Sequence, residues 1–365
     1  MECVDGRNAN VDTPSRQRRA PVPWQAVQIE DFDYQLPPER IAQTPIEPRD
    51  SSRLLIDRGP GRDPGHGHVT DLTDELHDGD LLVVNDSKVI PARLMLRRDT
   101  GGAAEVLLLE PLDAERRTWE ALVRPGRKMK RREVLSSLNG TPLVEVGART
   151  LAGDTFCVTI LGDDEPLLSL QRFGVMPLPP YITAPLADTA RYQTVYANQP
   201  GSAAAPTAGL HLTPGLIERL AASGVELARV ELVVGLDTFK PVDEADPTTH
   251  TIHTERYSVP EATMTAARAA RRVVAVGTTA ARALETAAST GALQGRSQLF
   301  IYRPYRWELV DLLLTNFHMP RTTLLMMIDA FIGERWRDLY ETALMGDYRF
   351  LSFGDAMLLT RSAPQ

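Results

Sequence analysis

The order of helix and strand signals after residue 210 constrains the fold more than any other feature of the sequence. Thr213 and Pro214 mark the start of a helix and Gly224 its end, and an apolar strand pattern follows over residues 225–234. A helix pattern over 261–271, a buried strand over 273–276 and another helix continue the alternation. Alternation of this kind is typical of an α/β sheet layered by helices.

Segments on either side extend the predicted sheet. Asp71 is a plausible N-cap for a short helix that ends at Gly79, and a buried strand follows over 81–84. Near the C-terminus we predict strands over 299–302 and 309–314 and an apolar helix over 322–332. The main domain is therefore expected to be a mixed-sheet α/β domain.

A different pattern interrupts this domain. Between residues 94 and 161 the apolar runs are short and are separated by Gly, Asp and Asn, at 106–109, 119–123, 143–146 and 156–160. This predicts an inserted small β-barrel domain over 94–169, with the α/β domain formed by 29–93 and 170–365. The proline-rich residues 176–181 should return the chain as an extended segment. Residues 1–28 have few apolar side chains and are predicted to be a disordered extension.

Composition limits the class of protein. The chain has 365 residues, of which 43% are hydrophobic, and no apolar stretch approaches the roughly 18 to 20 residues that a membrane span needs. The N-terminus lacks the apolar region of a secretory signal, so we expect a cytoplasmic protein. Cys3 and Cys157 are too few and too far apart for a disulfide framework or a thiolate metal cluster. The net charge of −8 argues mildly against a general polyanion binder but allows a nucleic acid to dock on a locally basic patch.

Polar loops follow the predicted strands, which is where open α/β sheets bind their ligands. They are Asn85-Asp86-Ser87-Lys88 with Arg93, Pro206-Thr207-Ala208-Gly209-Leu210-His211, Gly277-Thr278-Thr279, and Asn316-Phe317-His318-Met319-Pro320.

Each loop has a structural and a chemical interpretation. His211 and His318 can act as acids or bases, although a single histidine is more often structural. The Gly277-Thr278-Thr279 turn exposes N–H groups at a helix N-terminus, which suit a carboxylate or a phosphate, or it is a simple cap. The Asn85-Asp86 turn is equally well explained by hydrogen bonds to its own backbone.

Other classes of site have little support. The sequence has no GxxxxGK[ST] loop and no GxGxxG after a strand, so nucleoside triphosphate and dinucleotide sites are disfavoured. His250, His253 and Glu255 are close in sequence, but the flanking Thr251, Ile252 and Thr254 favour extended chain, in which the histidines face opposite sides. No metal is therefore expected. The densest basic run, residues 124–132, lies at a turn of the predicted barrel and is either a solvated tip or a contact for RNA phosphates.

Taken together, the loops resemble the S-adenosylmethionine:tRNA ribosyltransferase-isomerase family of the queuosine pathway. The resemblance covers nearly everything after residue 30. It includes Phe32-Asp33-Tyr34, Leu36-Pro37, Ile41-Ala42-Gln43, residues 80–94, 176–182, 192–196 and 204–211, Thr238-Phe239-Lys240-Pro241-Val242, Gly277-Thr278-Thr279, residues 315–320 and Tyr348-Arg349-Phe350.

The resemblance implies an unusual reaction of S-adenosylmethionine, which serves as a co-substrate. Its ribosyl portion is transferred to the aminomethyl group of a 7-deazaguanine at the wobble position of tRNA, giving epoxyqueuosine and releasing adenine and methionine. Such chemistry requires a base beside the sulfonium, help for the departing adenine and a neutral amine nucleophile. The implied partner is a tRNA that bears the 7-deazaguanine precursor, with no membrane, and we expect a monomer.

Residue chemistry then gives hypotheses for the roles. The candidates for proton transfer are His211, Glu255 and His318. Those for the methionine carboxylate are Gly277, Thr278, Thr279 and Arg282. Those for the sugar or the deazapurine are Asn85, Asp86, Arg93 and Thr207, and Asn316 is a further candidate for binding substrate.

The sequence departs from the family pattern in two places. Where the family usually has His-Val-Gly-x-Gly-Thr-Phe, this chain has Val233 in place of the His and Asp237 in place of the second Gly. Arg303-Pro304-Tyr305 replaces a Pro-Gly-aromatic run. Two alternatives therefore stay open: a relative that cleaves S-adenosylmethionine for a non-tRNA acceptor, and a catalytically silent RNA-binding homologue.

Overall fold

The computed structural model describes residues 27–150, 153–235, 242, 244–250, 252 and 254–362. Almost all of the predicted disordered extension, along with His253 and Asp237, lies outside these residues. The described chain opens with a 3₁₀ helix, Ile29–Phe32, in which Ile29 and Phe32 are buried. None of its described helices is long and apolar enough to cross a lipid bilayer.

Eighteen strands follow one another along the described chain. They are β1 (Arg53–Ile56), β2 (Gly65–His68), β3 (Asp80–Asn85), β4 (Ser87–Val89), β5 (Arg93–Arg97), β6 (Ala103–Pro111), β7 (Thr118–Arg124), β8 (Glu133–Ser136), β9 (Pro142–Arg149), β10 (Phe156–Ile160), β11 (Gly174–Val175), β12 (Gln199–Ser202), β13 (Glu226–Leu232), β14 (Glu255–Ser258), β15 (Arg272–Val276), β16 (Gln294–Ser297), β17 (Leu312–Asn316) and β18 (Ala356–Thr360).

The α-helices connect and cover these strands. They are α1 (Leu72–Glu75), α2 (Pro166–Phe173), α3 (Pro214–Ala222), α4 (Glu261–Ala269), α5 (Gly277–Thr290), α6 (Thr323–Ile332) and α7 (Arg335–Met345). The predicted cap at Thr213 is confirmed, because its hydroxyl accepts a hydrogen bond from the N–H of Leu216 at 3.1 Å at the start of α3.

The large sheet is mixed, as predicted. Its strand order is β16-β14-β13-β3-β15-β17-β18-β1-β2, and β13, β3, β15 and β17 run parallel to one another. Strand β3 is buried on both faces of this sheet. Leu81 and Val83 point into one hydrophobic core, and Leu82 and Val84 point into another. Because successive side chains point to opposite faces, a continuous apolar run is buried on both sides only where helices cover both faces.

A second sheet forms the predicted β-barrel. Its order is β11-β5-β6-β7-β10-β9-β8, and the pairing of Arg97 with Ser136 joins β5 to β8, so that six of these strands close into a ring. Trp119 is fully buried in the barrel core. The α/β fold with an inserted barrel is thus confirmed, while the exact domain boundaries stay a prediction.

The barrel is linked to the large sheet through the returning chain and through side chains. Strand β11, on the chain that leaves the barrel, belongs to the barrel's sheet and pairs with β5 through Gly174 and Leu94. On the barrel wall, the Glu110 carboxylate forms an ion pair with Arg296 of the edge strand β16 at 2.8 Å. The barrel is therefore held beside the edge of the sheet that carries β14 and β16.

One predicted strand is wrong. Residues 299–302 have no regular structure, and β17 begins at Leu312 rather than at residue 309. The physical reason lies in two side chains of α5. The Leu299 carbonyl accepts from Arg282 Nε at 3.0 Å. The fully buried Glu285 carboxylate accepts the backbone N–H groups of residues 308, 309 and 310 at 2.8 to 3.0 Å, so these groups are bonded to side chains rather than to a neighbouring strand.

Candidate active site

Three of the predicted polar loops meet at one edge of the large sheet. Strands β3, β15 and β17 are parallel neighbours, and Val276 is in register with both Val84 and Leu314. The loops that leave these strands therefore start at the same level. This is the carboxyl edge, where parallel sheets bind ligands.

A cleft of about 600 Å³ opens at this edge, and we call it the central cleft. Its polar lining comes from the predicted loops at 206–211, 277–279 and 316–320, whereas the loop that leaves β3 contributes none of it. Its apolar lining includes Phe317, Met319, Leu324 and Leu351. The predicted site residues in its wall are Thr207, Gly277, Thr278, Thr279, Asn316 and His318.

Asn316 links the wall of the central cleft to a buried histidine. The Thr207 hydroxyl donates to Asn316 Oδ1 at 2.9 Å, and Asn316 Nδ2 donates to His211 Nε2 at 3.0 Å. Thr207 and His211 belong to the 3₁₀ helix Thr207–His211. With three residues per turn, side chains four positions apart point about 120° away from each other. Thr207 therefore faces the central cleft while His211 lies behind Asn316.

His211 instead lines a smaller space of about 230 Å³, the His211 cleft, together with Arg49 and Arg191. Burial, followed by the charges of Arg349, Arg191 and Arg49, lowers the pKa of His211 to about 4. The imidazole is consequently neutral at physiological pH. Its Nε2 is an acceptor for the Asn316 amide and fixes the orientation of that amide.

His318 is the histidine that faces the central cleft. Its Nε2 shares a hydrogen bond of 2.9 Å with the Thr315 hydroxyl, and burial lowers its pKa to about 3. Its main chain is held by two tyrosines, since Tyr340 Oη accepts from its N–H at 2.9 Å and Tyr34 Oη donates to its carbonyl at 2.5 Å. His318 is thus a rigidly placed neutral imidazole.

The turn from β15 into α5 forms the floor of the central cleft. Gly277 has a φ of 88°, a left-handed value that a residue with a Cβ adopts only with strain. No side chain caps α5 at Val276, so the interpretation of this turn as a simple threonine cap finds no hydrogen bond in the structure. The Thr279 hydroxyl is buried and has no partner within the described part of the chain. Uncapped amides and an unpaired hydroxyl at a helix N-terminus form a place for a negatively charged group.

A second cleft of about 640 Å³ adjoins the central cleft, and we call it the Arg282 cleft. The two clefts share Thr278, Thr279 and Leu324. Arg282 of this cleft forms an ion pair with Glu255. The Glu255 carboxylate also accepts the N–H of Gly235 at 3.1 Å. The Arg282 cleft therefore carries the paired charges that the central cleft lacks.

No group of three or more metal-ligating side chains is found among the described residues. His250 bonds Glu244 at 2.9 Å, and His253 lies outside the described residues. The expectation of no metal stays a prediction.

Comparison with known proteins then decides the family. The family model described as queuosine biosynthesis protein matches residues 29–359. The chain belongs to this queuosine biosynthesis family.

Relatives match along nearly their whole length. The S-adenosylmethionine:tRNA ribosyltransferase-isomerase of Moorella thermoacetica is 49% identical, over 91% of this chain and 100% of the relative. That of Thermus thermophilus is 48% identical, over 91% of this chain and 99% of the relative. The crystal structure of an S-adenosylmethionine tRNA ribosyltransferase from Thermotoga maritima is 38% identical and covers 90% of this chain and 99% of its own, with a TM-score of 0.51.

Three other predicted residues of this family member lie apart from the clefts. The Asn85 amide bonds both the N–H and the carbonyl of Leu232 in β13, at 3.1 and 2.9 Å. Asp86 is buried, and burial together with the charge of Glu231 raises the pKa of its carboxyl group. Arg93 belongs to the barrel and lies 3.6 Å from the Glu105 carboxylate. Their contacts with substrate stay predictions.

The structure describes Val233, Arg303 and Tyr305 at the two places where the sequence departs from the family pattern. Val233 is buried, and Asp237 lies outside the described residues. Arg303 forms an ion pair with Asp329 at 2.5 Å, and Tyr305 donates to Glu285 at 3.0 Å. Arg303 and Tyr305 line none of the three clefts.

Sequence reasoning missed the tyrosines of the site. Tyr34 and Tyr340 support His318, and Tyr181 bonds Ser352 at 2.7 Å in the wall of the central cleft. Tyr34 and Tyr181 lie in motifs that carried the family resemblance, and that was the available signal. The contacts of these two tyrosines join residues more than 150 positions apart, which no local pattern reveals.

Proposed function

We propose that this chain is an S-adenosylmethionine:tRNA ribosyltransferase-isomerase that transfers the ribosyl portion of S-adenosylmethionine to the aminomethyl-7-deazaguanine at the wobble position of tRNA. The product is epoxyqueuosine, and adenine and methionine are released. The observation that carries the proposal is the family match over residues 29–359, which contains every wall of the two adjoining clefts. The names of the relatives favour tRNA as acceptor over a small-molecule acceptor or a silent homologue.

The paired clefts suit a reaction between two large substrates. S-adenosylmethionine has a charged amino-acid end and an uncharged nucleoside end. We assign the methionine carboxylate to the amides of Gly277 and Thr278, the Thr279 hydroxyl and the charge of Arg282. Thr278, Thr279 and Arg282 line the Arg282 cleft, and Gly277 precedes Thr278 in the same turn, on the side of the central cleft. The sulfonium and ribose would then lie at the shared wall of Thr278 and Thr279.

The central cleft is assigned to the sugar and the deazapurine. Thr207 and Asn316 present a hydroxyl and an amide there, and Asn316 is held by His211. Neutral hydrogen-bonding groups in an apolar cleft are suited to an uncharged base.

The geometry divides the proton-transfer candidates. His318 lines the central cleft, so it is the histidine that we assign to proton transfer with a substrate placed there. Glu255 lines the Arg282 cleft, so we assign it any proton transfer with the part of the substrate that lies there. His211 is separated from the central cleft by Asn316, so we assign it a positioning role rather than proton transfer.

We further propose that the partner is a tRNA bearing the 7-deazaguanine precursor, that the enzyme acts in the cytoplasm as a monomer, and that the reaction uses no metal.

The test is incubation of the purified protein with S-adenosylmethionine and a tRNA that carries the aminomethyl-deazaguanine. Adenine release is followed by chromatography and the modified nucleoside by mass spectrometry. We expect adenine and epoxyqueuosine in equal amounts. Adenine release that is independent of tRNA, with no modified nucleoside, would instead support a different acceptor.

A further inference from the structure

The most basic run of the chain is the turn between β7 and β8, residues 124–132, which we call the basic turn. Six of its nine residues are cationic and none is acidic. Their side chains are exposed, and within the described residues none of them forms an ion pair with a carboxylate: Arg124, Arg127, Lys128, Lys130, Arg131 and Arg132. The basic turn lines none of the three clefts, so its charge has no role in the site described above.

Buried groups hold the backbone of the basic turn from one side. Glu133, the first acid after the turn, is buried and accepts the N–H of Lys130 at 3.0 Å. The same carboxylate pairs with Arg98 at 2.7 Å, and Arg98 also donates to the carbonyl of Lys128 at 2.7 Å. Arg98 therefore neutralises Glu133, and the exposed cations are left without a neutralising carboxylate.

The other side of the turn is held by Arg149. Its guanidinium donates to the carbonyl of Gly126 at 2.9 Å and lies 4.4 Å from the centre of the Phe156 ring. Arg132 has a φ of 66°, and its N–H donates to the carbonyl of Val146 at 2.7 Å. A backbone fixed at these points keeps the cations clustered on one turn, which lowers the backbone entropy lost when they bind a partner.

We propose that the basic turn binds the phosphate backbone of the tRNA, away from the wobble nucleotide that enters the clefts. The proposal rests on the proposed function for the identity of its partner. A cluster of exposed cations on a chain with a net charge of −8 confines the attraction for a polyanion to one place. The pairing of Arg124 with Glu105 places the basic turn at the opposite end of β6 and β7 from Glu110, which pairs with Arg296 at the sheet edge. A phosphate bound at the turn therefore lies away from the contact between the barrel and the sheet.

The test neutralises three cations that hold no part of the fold. The R127Q/K128Q/R131Q variant is compared with the native chain for the dissociation constant of tRNA at several salt concentrations. The tRNA should bind about 10- to 100-fold more weakly, and the slope of log affinity against log salt should fall by about 2 to 3, because each lost phosphate contact removes about 0.7 to 0.9. In turnover, KM for tRNA should rise by a similar factor while kcat at saturating tRNA stays within about twofold.

Two control variants separate charge placement from total charge. The R62Q/R268Q/R306Q variant removes three exposed arginines elsewhere on the chain and should change tRNA affinity by less than about threefold. The R127K/R131K variant keeps the charges and should bind nearly as well as the native chain. Equal weakening by the two triple variants would overturn the proposal.

Other results also overturn it. Unchanged affinity and salt slope in R127Q/K128Q/R131Q would do so, as would a loss of kcat with no change in the dissociation constant. If R127Q/K128Q/R131Q binds tRNA as well as the native chain does but no longer binds anionic phospholipid vesicles that the native chain binds, the turn contacts a membrane surface and not tRNA. The binding measurement does not depend on turnover, so a native chain that binds tRNA through this turn but releases no adenine refutes the proposed reaction and leaves the docking surface standing.

Discussion

At the scale of single residues, the site is organised around Asn316. Its amide has two ends in use, one on the Thr207 hydroxyl and one on His211 Nε2. Because burial keeps His211 neutral, its contribution is the lone pair that aligns this amide. Removal of that lone pair leaves a buried amide donor unsatisfied, at a cost of about 1 to 3 kcal/mol.

Substitution of His211 should therefore change rate without changing pH dependence. We expect the H211A variant to lose about tenfold or more in kcat, and H211Q to recover part of this because its carbonyl can accept from Asn316. The shape of the kcat against pH profile between about pH 6 and 9 should be the same in all three proteins. A limb of the profile that disappears in H211Q would show that His211 itself transfers the proton.

Thr279 should contribute to ligand binding rather than to folding. Its hydroxyl is buried without a partner in the described structure. The free energy of unfolding of the nearly isosteric T279V variant should therefore lie within about 1 kcal/mol of the native value. The KM for S-adenosylmethionine should rise about tenfold if the hydroxyl bonds the carboxylate. Urea unfolding and steady-state kinetics measure the two effects, and a marked loss of stability with normal KM would contradict the assignment.

His318 should make stability depend on pH. Its pKa of about 3 lies below the unfolded value of about 6.5, so the unfolded chain binds the extra proton and stability falls as the pH drops below 6.5. Between about pH 7 and pH 5 this amounts to about 2 kcal/mol for one such histidine. Urea unfolding at both pH values should show a smaller loss for H318Q than for the native chain, and an equal loss would show that His318 is not buried neutral.

At the scale of elements, helix α5 shapes the site both through its N-terminus and through a buried side chain in its second half. Its N-terminus forms the floor between the clefts, and Glu285 in its second half organises the residues that lead into β17. Leu299, Phe300 and Ile301, which precede them, line the Arg282 cleft. One helix therefore sets both the floor of the Arg282 cleft and, through its side chains, the course of the segment 299–311 that forms one of its walls.

Replacement of Glu285 by Gln should destabilise the fold and loosen this segment. The amide brings its own donors toward backbone donors, and we expect a loss of about 2 to 4 kcal/mol in the free energy of unfolding. Y305F removes only one of the four bonds and should cost about 1 kcal/mol. Urea unfolding measures both, with the exposed E261Q on α4 as a control that should be neutral. Similar stabilities of E285Q and E261Q would mean that Glu285 does not hold the segment.

This segment also shows where prediction from the sequence stops. Caps and periodicity predicted α3, α6 and the strands β3, β13 and β15 close to their observed bounds, because those signals are local. The apolar residues 299–302 look like a strand, yet their course depends on side chains of another element. The loops of the site were found for the same local reasons, whereas the direction of His211 and the bonds of Asn85 depend on which element packs beside them.

At the scale of the whole molecule, the hydrophobic cores of the barrel and of the large sheet are separate clusters. The links between them include one partly exposed ion pair, Glu110 with Arg296. Exposed ion pairs contribute about 1 kcal/mol or less. The barrel and the sheet should therefore differ in the free energy at which they open.

Hydrogen exchange followed by mass spectrometry tests this division. In moderate urea we expect peptides from β6 and β7 to exchange with a different free energy of opening from peptides of β3 and β15. The same free energy and the same urea dependence in both sets would mean that the chain unfolds as one cooperative unit. In that case the predicted domains 94–169 and 29–93 with 170–365 would have no thermodynamic meaning.

The Asn85 amide has a consequence for comparing this chain with its family. By bonding both main-chain groups of Leu232, it fixes the alignment of β13 against β3. A shift of β13 by one residue would leave the amide and both backbone groups unpaired. Val233 directly follows that fixed point, so a side chain at position 233 is held by the same alignment. The resemblance to the family gives an imidazole at this position, and V233H is the substitution that would introduce one.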